Sequence, residues 1–397
     1  MRVLYAAGLA GFACVAALGL FFGFRAGTPE ADAAAPVPAS FVAHEWGTFT
    51  SFGGSDGVHV GFRPNNEDLP SFVYHLQDQF SKGGFLRLAG LVSMETPVIY
   101  FYADKPVKAT VDVKFPRGWI TEWYPVAATE PSYKNRNPGQ SIRWKVQVMP
   151  GESFGLPRDD KEANPYYHAR ATDAAPVQAE DPRVGGHSGG VVVQREKFLF
   201  YRGVGTFAPP VTVKALGGGE VKVVNTHASP VGGLVLLTAR NGGVAFQKLD
   251  DVPAKGELVA KLPTDLVPTA ELGALLVKQL TATGLYEAEA KAMVKTWESA
   301  WFGETGHRLL YLVPTGLTDE LLPLTIDPKP TEVVRVLVGR HDFVTPEQEA
   351  EVLKQHKRAL AAQAELNAAQ EELNKVGRFA EEARARAAAK LEQTGKK

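Results

Sequence analysis

The alternation of hydrophobic and polar residues changes period along this chain, and each change marks an element. Residues 3–24 are an unbroken apolar run between Arg2 and Arg25. About 20 apolar residues is the length at which a helix crosses the hydrocarbon core of a bilayer. The run therefore predicts a signal anchor over residues 1–27, a single-pass transmembrane helix with its short, positive end inside and the bulk of the chain on the extracytoplasmic, periplasmic side. Ala31-Asp32-Ala33 offers the alternative, an A-x-A site at which a signal peptide is cleaved and the remainder secreted. Residues 28–40, rich in Ala, Pro and acid and without a period, read as a linker.

From Phe41 the pattern turns to β. Val98-Ile99-Tyr100-Phe101-Tyr102, residues 109–115 and residues 119–124 are rich in β-branched and aromatic side chains and are parted by Asp104-Lys105-Pro106 and Pro116-Arg117-Gly118. They predict an antiparallel meander joined by residues 142–148. Residues 150–190 carry neither period, and a loop of that length is more often functional or disordered than incidental. Short strands follow over residues 190–201, 210–215, 220–225, 233–239 and 244–249, with Gly217-Gly218-Gly219 and Asn241-Gly242-Gly243 as turns. Phe198-Leu199-Phe200-Tyr201 lacks alternation and reads as a strand buried on both faces.

After Pro268 the period becomes helical, with Gly284 as the residue past the end of a first helix. In the second, Tyr286, Ala290, Met293, Val294, Trp297 and Trp301 make one apolar stripe that packs on a sheet. Strands return at residues 308–313 and 333–338. Thr345-Pro346-Glu347-Gln348 is a helix start with a capping Thr, Pro at the first position and Gln at the third. The Ala/Glu/Lys/Arg-rich tail behind it forms a long helix with a break near Gly377, and it lacks sustained heptads.

The resulting fold class is α+β: β-rich, with two antiparallel, sandwich-like sheet units, a helical hairpin and a long C-terminal helix. The expected divisions are a β-rich unit over residues 41–190, a second over 191–263, a helical hairpin with strands over 264–344 and the C-terminal helix over 345–397.

Composition narrows the functions open to such a body. A hydrophobic content of 45% supports real cores, and 43 Lys plus Arg against 44 Asp plus Glu leave no field to recruit a polyanion, so nucleic acid is excluded as an expected partner. Cys14 is the single cysteine and lies in the apolar leader, so any metal has to be held by His and carboxylates.

Each motif has a functional and a structural reading. Gly186-His187-Ser188-Gly189-Gly190 matches G-x-S-x-G, but a coil precedes it and Val191-Val192-Val193 follows, where a nucleophile elbow needs a strand and then a helix. His44-Glu45-Trp46-Gly47-Thr48 begins like H-E-x-x-H, yet Thr48 replaces the second ligand; in a strand His44 and Trp46 face one side and Glu45 the other. A buried, hydrogen-bonded His44 is its structural reading. Tyr166-Tyr167-His168-Ala169-Arg170-Ala171-Thr172-Asp173 concentrates aromatic and charged groups in the long loop; it either forms a site, with Tyr167 and Arg170 binding, or pairs Arg170 with Asp173 to hold the loop down. Arg202 ends a buried strand and requires a carboxylate, with Glu95 and Glu122 as the candidates, giving a structural ion pair or an anion site. His44, His168, His187 and His307 are the candidate metal ligands, and His44, Glu45, His168 and Asp173 the candidate acid-base groups.

The blocks His44 to Ser51 (HEWGTFTS), Met94 to Tyr102 (METPVIYFY), Tyr167 to Ala174 and Phe198 to Gly205 resemble an uncharacterised family of exported proteins from planctomycete-like bacteria. That resemblance agrees with export and, the family having no established activity, implies no catalytic residue.

The leading expectation is a membrane-anchored extracytoplasmic binding or structural protein, with the membrane as partner through the N-terminal helix and a protein partner through the C-terminal helix. The competing expectation is a metal-dependent or acid-base hydrolase acting outside the cytoplasm. The residues name no cofactor.

Overall fold

Continuous apolar runs and alternating ones go to different sheets in this protein. The computed structural model describes residues 40–62, 69–75, 92–130, 138–159, 164–181, 192–240, 243–375 and 377–394, all within one compact unit, Val37–Lys397. In chain order the strands are β1 (Phe41–Gly53), β2 (Tyr74–His75), β3 (Val92–Ala103), β4 (Val107–Phe115), β5 (Gly118–Tyr124), β6 (Ala128–Glu130), β7 (Gln140–Val148), β8 (Val177–Asp181), β9 (Val192–Glu196), β10 (Leu199–Gly205), β11 (Val211–Gly217), β12 (Glu220–Asn225), β13 (Gly232–Arg240), β14 (Gly243–Lys248), β15 (Glu257–Lys261), β16 (Gly306–Leu312), β17 (Leu324–Asp327) and β18 (Glu332–Phe343). The helices are α1 (Thr269–Ala282), α2 (Glu287–Glu298), α3 (Thr315–Leu321), α4 (Pro346–Asn374) and α5 (Ala380–Thr394), with a 3-10 turn at Pro165–Arg170. The chain is thus α+β, β-rich, with a helical hairpin and a long C-terminal helix.

Among the described residues the strands form a nine-stranded sheet ordered β14-β13-β16-β18-β1-β3-β10-β5-β2, a six-stranded sheet built on β17-β4-β7-β8-β9 with β6 beside β7, and a three-stranded sheet β11-β12-β15. All neighbours in the large sheet are antiparallel except β1 and β18, which run parallel from Val42 opposite Glu332 to Gly53 opposite Phe343. One face of the large sheet packs on the two smaller sheets through Phe41, Phe49, Ile99, Tyr201, Leu309 and Leu337, which share a core with Val111, Trp144, Val213 and Val223. The other face packs on the helical hairpin through Trp46, Val98, Phe200, Leu237 and Val336, which meet Leu276, Met293 and Trp297.

This layering explains the two sequence patterns. Strands covered on both faces have no polar face, so β3 from Val98 on, the start of β10 and the middle of β13 are nearly continuous apolar runs. Strands in the outer sheets have one solvated face, and β4 and β7 alternate buried with exposed or half-buried positions. The region expected as one meander is accordingly split. β5, buried at six of its seven positions, enters the large sheet, while β4, only a turn before it, stays in the outer one.

The hairpin helices end as the sequence predicts. Gly284 stands past the end of α1 with φ of 106°, a conformation that costs a side chain but not glycine. The Thr345 hydroxyl accepts from Gln348 N, and the Gln348 side chain accepts from Thr345 N at 2.9 Å, closing a capping box on α4.

The predicted membrane attachment needs correction. No helix among the described residues is long and apolar enough to cross a membrane. α4 has the length, at 29 residues, but its Glu, Lys and Arg residues are too costly in hydrocarbon. The transmembrane helix, the membrane as partner and the single-pass location therefore find no support here, and residues 3–24, on which they rested, lie outside the described residues.

Close packing of the central sheet has a measurable consequence at Gly339 of β18. A Cβ there would stand 2.0 Å from the buried Tyr311 ring, so Gly339→Ala is expected to destabilise by about 3 kcal/mol through overpacking. At Gly316 in α3 a Cβ meets nothing within 4 Å, and Gly316→Ala is expected to stabilise by up to about 1 kcal/mol through helix propensity. Urea unfolding of the two variants, with opposite shifts in midpoint, checks both.

Candidate functional site

Strand parity separates the neighbours His44 and Glu45. Glu45 points toward the smaller sheets, where it accepts from the Tyr201 hydroxyl and, at 2.6 Å, from Arg335 Nε, whose Nη1 also donates to Asp319 at 2.8 Å. Every group in this set except Asp319 is almost fully buried. The set is a structural ion pair, and burial, then the neighbouring Glu45 carboxylate, holds the Tyr201 phenol well above its ordinary pKa.

His44 points the other way, to the helices. Its Nδ1 lies 2.8 Å from Glu289 Oε2, with both side chains at 1% exposure or less. The same Oε2 accepts from the Tyr286 backbone N–H at 2.8 Å, and Oε1 accepts from the Tyr102 hydroxyl at 2.8 Å. Glu289 therefore caps the start of α2 and holds two side chains of the sheet face at once. The His44 ring packs on Tyr286 and Tyr102, with centroids 4.5 and 5.5 Å away, and its Nε2 is buried without a hydrogen bond. Burial, then Glu289, raises the Tyr102 pKa far out of range, so its phenol is a fixed donor rather than a base.

Tyr102 and Tyr286 form one side of a cavity of about 670 Å³ between α2 and the turn Pro165–Arg170. His168, Asp173, Glu287, Lys291 and Lys295 also line it. Burial, with Lys295 adding to it, lowers the His168 pKa. Two of the sequence candidates, His168 and Asp173, thus reach one cavity, and His44 sits behind its tyrosine wall.

The remaining candidates take other places. Arg170 pairs with Glu196 rather than Asp173, through Nε at 2.9 Å and Nη2 at 2.6 Å, and its guanidinium lies 4.8 Å from the Tyr167 ring centroid. Tyr166 donates to the same Glu196 at 3.1 Å, and Tyr167 donates to Asp159 at 2.8 Å, so this cluster ties the loop down. Arg202 stands opposite Glu122 in the register of β10 and β5. Its charge also works on Glu95, whose pKa burial raises against the pull of Arg202 and Arg340. His307 lies 3.0 Å from the Thr238 hydroxyl and stacks on Phe343. His187 and the G-x-S-x-G motif are outside the described residues. Among the described residues no group of three or more His, Cys, Asp or Glu side chains is placed to hold a metal ion.

Glu289 escaped the sequence reading although a signal was present. It precedes Met293 and Trp297 at steps of four, which puts a carboxylate on the apolar stripe of α2, where only a buried partner can satisfy it. Tyr102 carries no such signal, because only the register of β3 against β1 brings it beside His44.

Removing the shared acceptor is expected to cost more than removing any donor. Glu289→Ala leaves the His44, Tyr102 and Tyr286 donors unpaired and is expected to destabilise by about 3 to 5 kcal/mol, against about 1 kcal/mol for Tyr102→Phe. Lys291→Ala breaks only an exposed pair with Glu287 and is expected to change stability by less than about 1 kcal/mol. Denaturant unfolding of the three variants orders them.

No family model matches the sequence, and no curated protein matches it. Among solved structures, the chain is similar to the Fcho1 mu-homology domain of Danio rerio with bound Eps15 peptide, at 8% identity over 79% of this chain and 99% of that one, with a TM-score of 0.29. It is also similar to the yeast delta-COP-I mu-homology domain, at 7% identity over 78% of this chain and 100% of that one, with a TM-score of 0.30.

Proposed function

We propose that this chain is a binding protein and that the cavity between α2 and the turn Pro165–Arg170 holds its ligand, a small polar organic molecule carrying charges of both signs. The observation that carries the reading is the cavity itself, about 670 Å³ and within the size range of small-molecule sites. Its lining combines aromatic surface from Tyr102 and Tyr286 with cationic groups, Lys291 and Lys295, and anionic ones, Asp173 and Glu287. Such a wall suits a zwitterion with a compact apolar body, because Asp173 faces one charge, Lys291 and Lys295 can exchange their exposed Glu287 and Glu298 partners for the other, and the rings cover the remainder. The wall groups are also held in place: Tyr102 by Glu289, and α2 by its cap.

A hydrolytic reading has one observation in its favour, the presence of His168 and Asp173 in the same cavity. Against it, Tyr102 is a fixed donor and His44 Nδ1 is committed to Glu289, which leaves no activated nucleophile among these groups.

Thermal unfolding of the full chain against a panel of amino acids, dipeptides and sugars tests the proposal. A zwitterion is expected to raise the melting temperature. Tyr286→Ala is expected to weaken its binding about tenfold, and Asp173→Ala to weaken it too, while His356→Ala on exposed α4 leaves it unchanged. A panel without any shift, or a shift indifferent to both cavity variants, overturns the reading; ester or peptide cleavage lost in His168→Ala replaces it with the hydrolytic one.

A further inference from the structure

A pair of histidines lies on the face of the large sheet opposite His44, at the far end of β1 from it. Ser51 of β1 stands opposite His341 of β18 in the parallel register. Beyond Ser51 the chain turns back, with Gly54 N donating to Val58 O at 3.0 Å and Val60 N to Phe52 O at 2.9 Å, and Gly53 bridges His59. This turn lays the His59 ring edge-on to the His341 ring, with centroids 5.2 Å apart and planes at 82°.

Neither ring is satisfied as a pair of neutral histidines should be. His341 is fully buried, and its Nε2 has no hydrogen-bond partner. Both ring nitrogens of the half-buried His59 are likewise sheltered from solvent and unpartnered. A buried polar atom without a partner costs roughly 1–3 kcal/mol, so three in one place ask for something between them. The Ser51 hydroxyl lies 2.9 Å from His341 Nδ1 and 3.4 Å from the Arg340 carbonyl; in the tautomer in which it accepts from Nδ1–H and donates to that carbonyl, Nε2 carries a lone pair. A ligating histidine is oriented in the same way, by donating its other nitrogen to a neighbouring acceptor.

Space and spacing agree. A Cβ on Gly53 would stand 3.0 Å from His341 Nε2 and 3.1 Å from its Cε1, so the glycine keeps open the volume beside the Nε2–Cε1 edge of the ring. The Val58 carbonyl borders the same volume, 3.6 Å from that Cβ position. Two imidazoles on one tetrahedral ion, with nitrogens at about 2.0–2.1 Å, have ring centroids about 5 Å apart, whereas a linear two-coordinate ion would hold them at about 6 Å.

We infer that His59 and His341 form a two-nitrogen site for a late first-row divalent cation of the zinc class, with Ser51 orienting His341 and the remaining positions filled by solvent or the Val58 carbonyl. Imidazole is a preferred donor for that class, and the absence of carboxylates from the pair disfavours calcium and magnesium. The site is independent of the cavity on the helical face.

Calorimetric titration of Zn²⁺ into the chelator-treated full chain at pH 7 tests the inference. One ion per chain is expected to bind. His59→Ala, at a half-buried position whose side chain makes no hydrogen bond, and Gly53→Ala, which keeps both histidines but crowds the His341 ring at its Nε2–Cε1 edge, are each expected to weaken binding at least tenfold. Ser51→Ala is expected to weaken it about 10- to 100-fold, and His356→Ala to leave it unchanged. Circular dichroism confirms that each variant is folded. A chain that takes up no Zn²⁺, or a folded His59→Ala variant that binds it as the parent does, overturns the inference.

Discussion

The structure depends on the parallel pairing of β1 with β18, the junction that joins the two halves of the large sheet. Residues near 45 and near 335 have to find one another across almost the whole folded body. The loop entropy of that closure grows only slowly with length, so what matters is how sharply the register is specified. A slip of one residue exchanges the faces of every side chain on β1. Apolar burial penalises the slip little, because β1 is covered on both sides. The polar groups penalise it heavily: it would carry Glu45 toward Glu289 and strip Arg335 of its carboxylate, leaving uncompensated charges on both faces. The adjacent residues His44 and Glu45 act as a two-sided key for the register.

Many of the strands, and the double burial of β10, were legible in the sequence for a simple reason. Whether a strand alternates or runs continuously apolar reports how many of its faces are covered, and the covering layers here are distinct enough that β4 and β10 differ on sight. The capped starts and glycine stops of the helices were legible because they satisfy local donors and local dihedrals. Pairing order was not legible. Nothing local in Phe41–Gly53 names Glu332–Phe343 as its parallel neighbour, or sends β4 and β5 to different sheets across a short turn.

The same limit applies to the site. Proximity in sequence put Arg170 with Asp173, but a bidentate contact needs a carboxylate facing the guanidinium fork, and Glu196 provides it across the fold. For Arg202 both carboxylates considered from sequence are its neighbours, one by register and one through its charge. Among the described residues the candidate histidines do not assemble into a larger metal cluster, because the sheet distributes them between faces and ends. Nothing local in the sequence joins His59 to His341; only the turn after β1 brings their rings together.

Glu289 links these levels. One oxygen serves the helix start and His44, the other Tyr102, so the N-terminal turn of α2 cannot move without releasing donors of the central sheet. That turn is also a wall of the cavity. A wall fixed to a doubly covered strand requires little ordering when a ligand arrives, and binding energy is lost chiefly to such ordering. In the binding role proposed for the cavity, the buried acid would contribute to recognition without touching the ligand, by making the shape of the cavity a consequence of the register of the sheet.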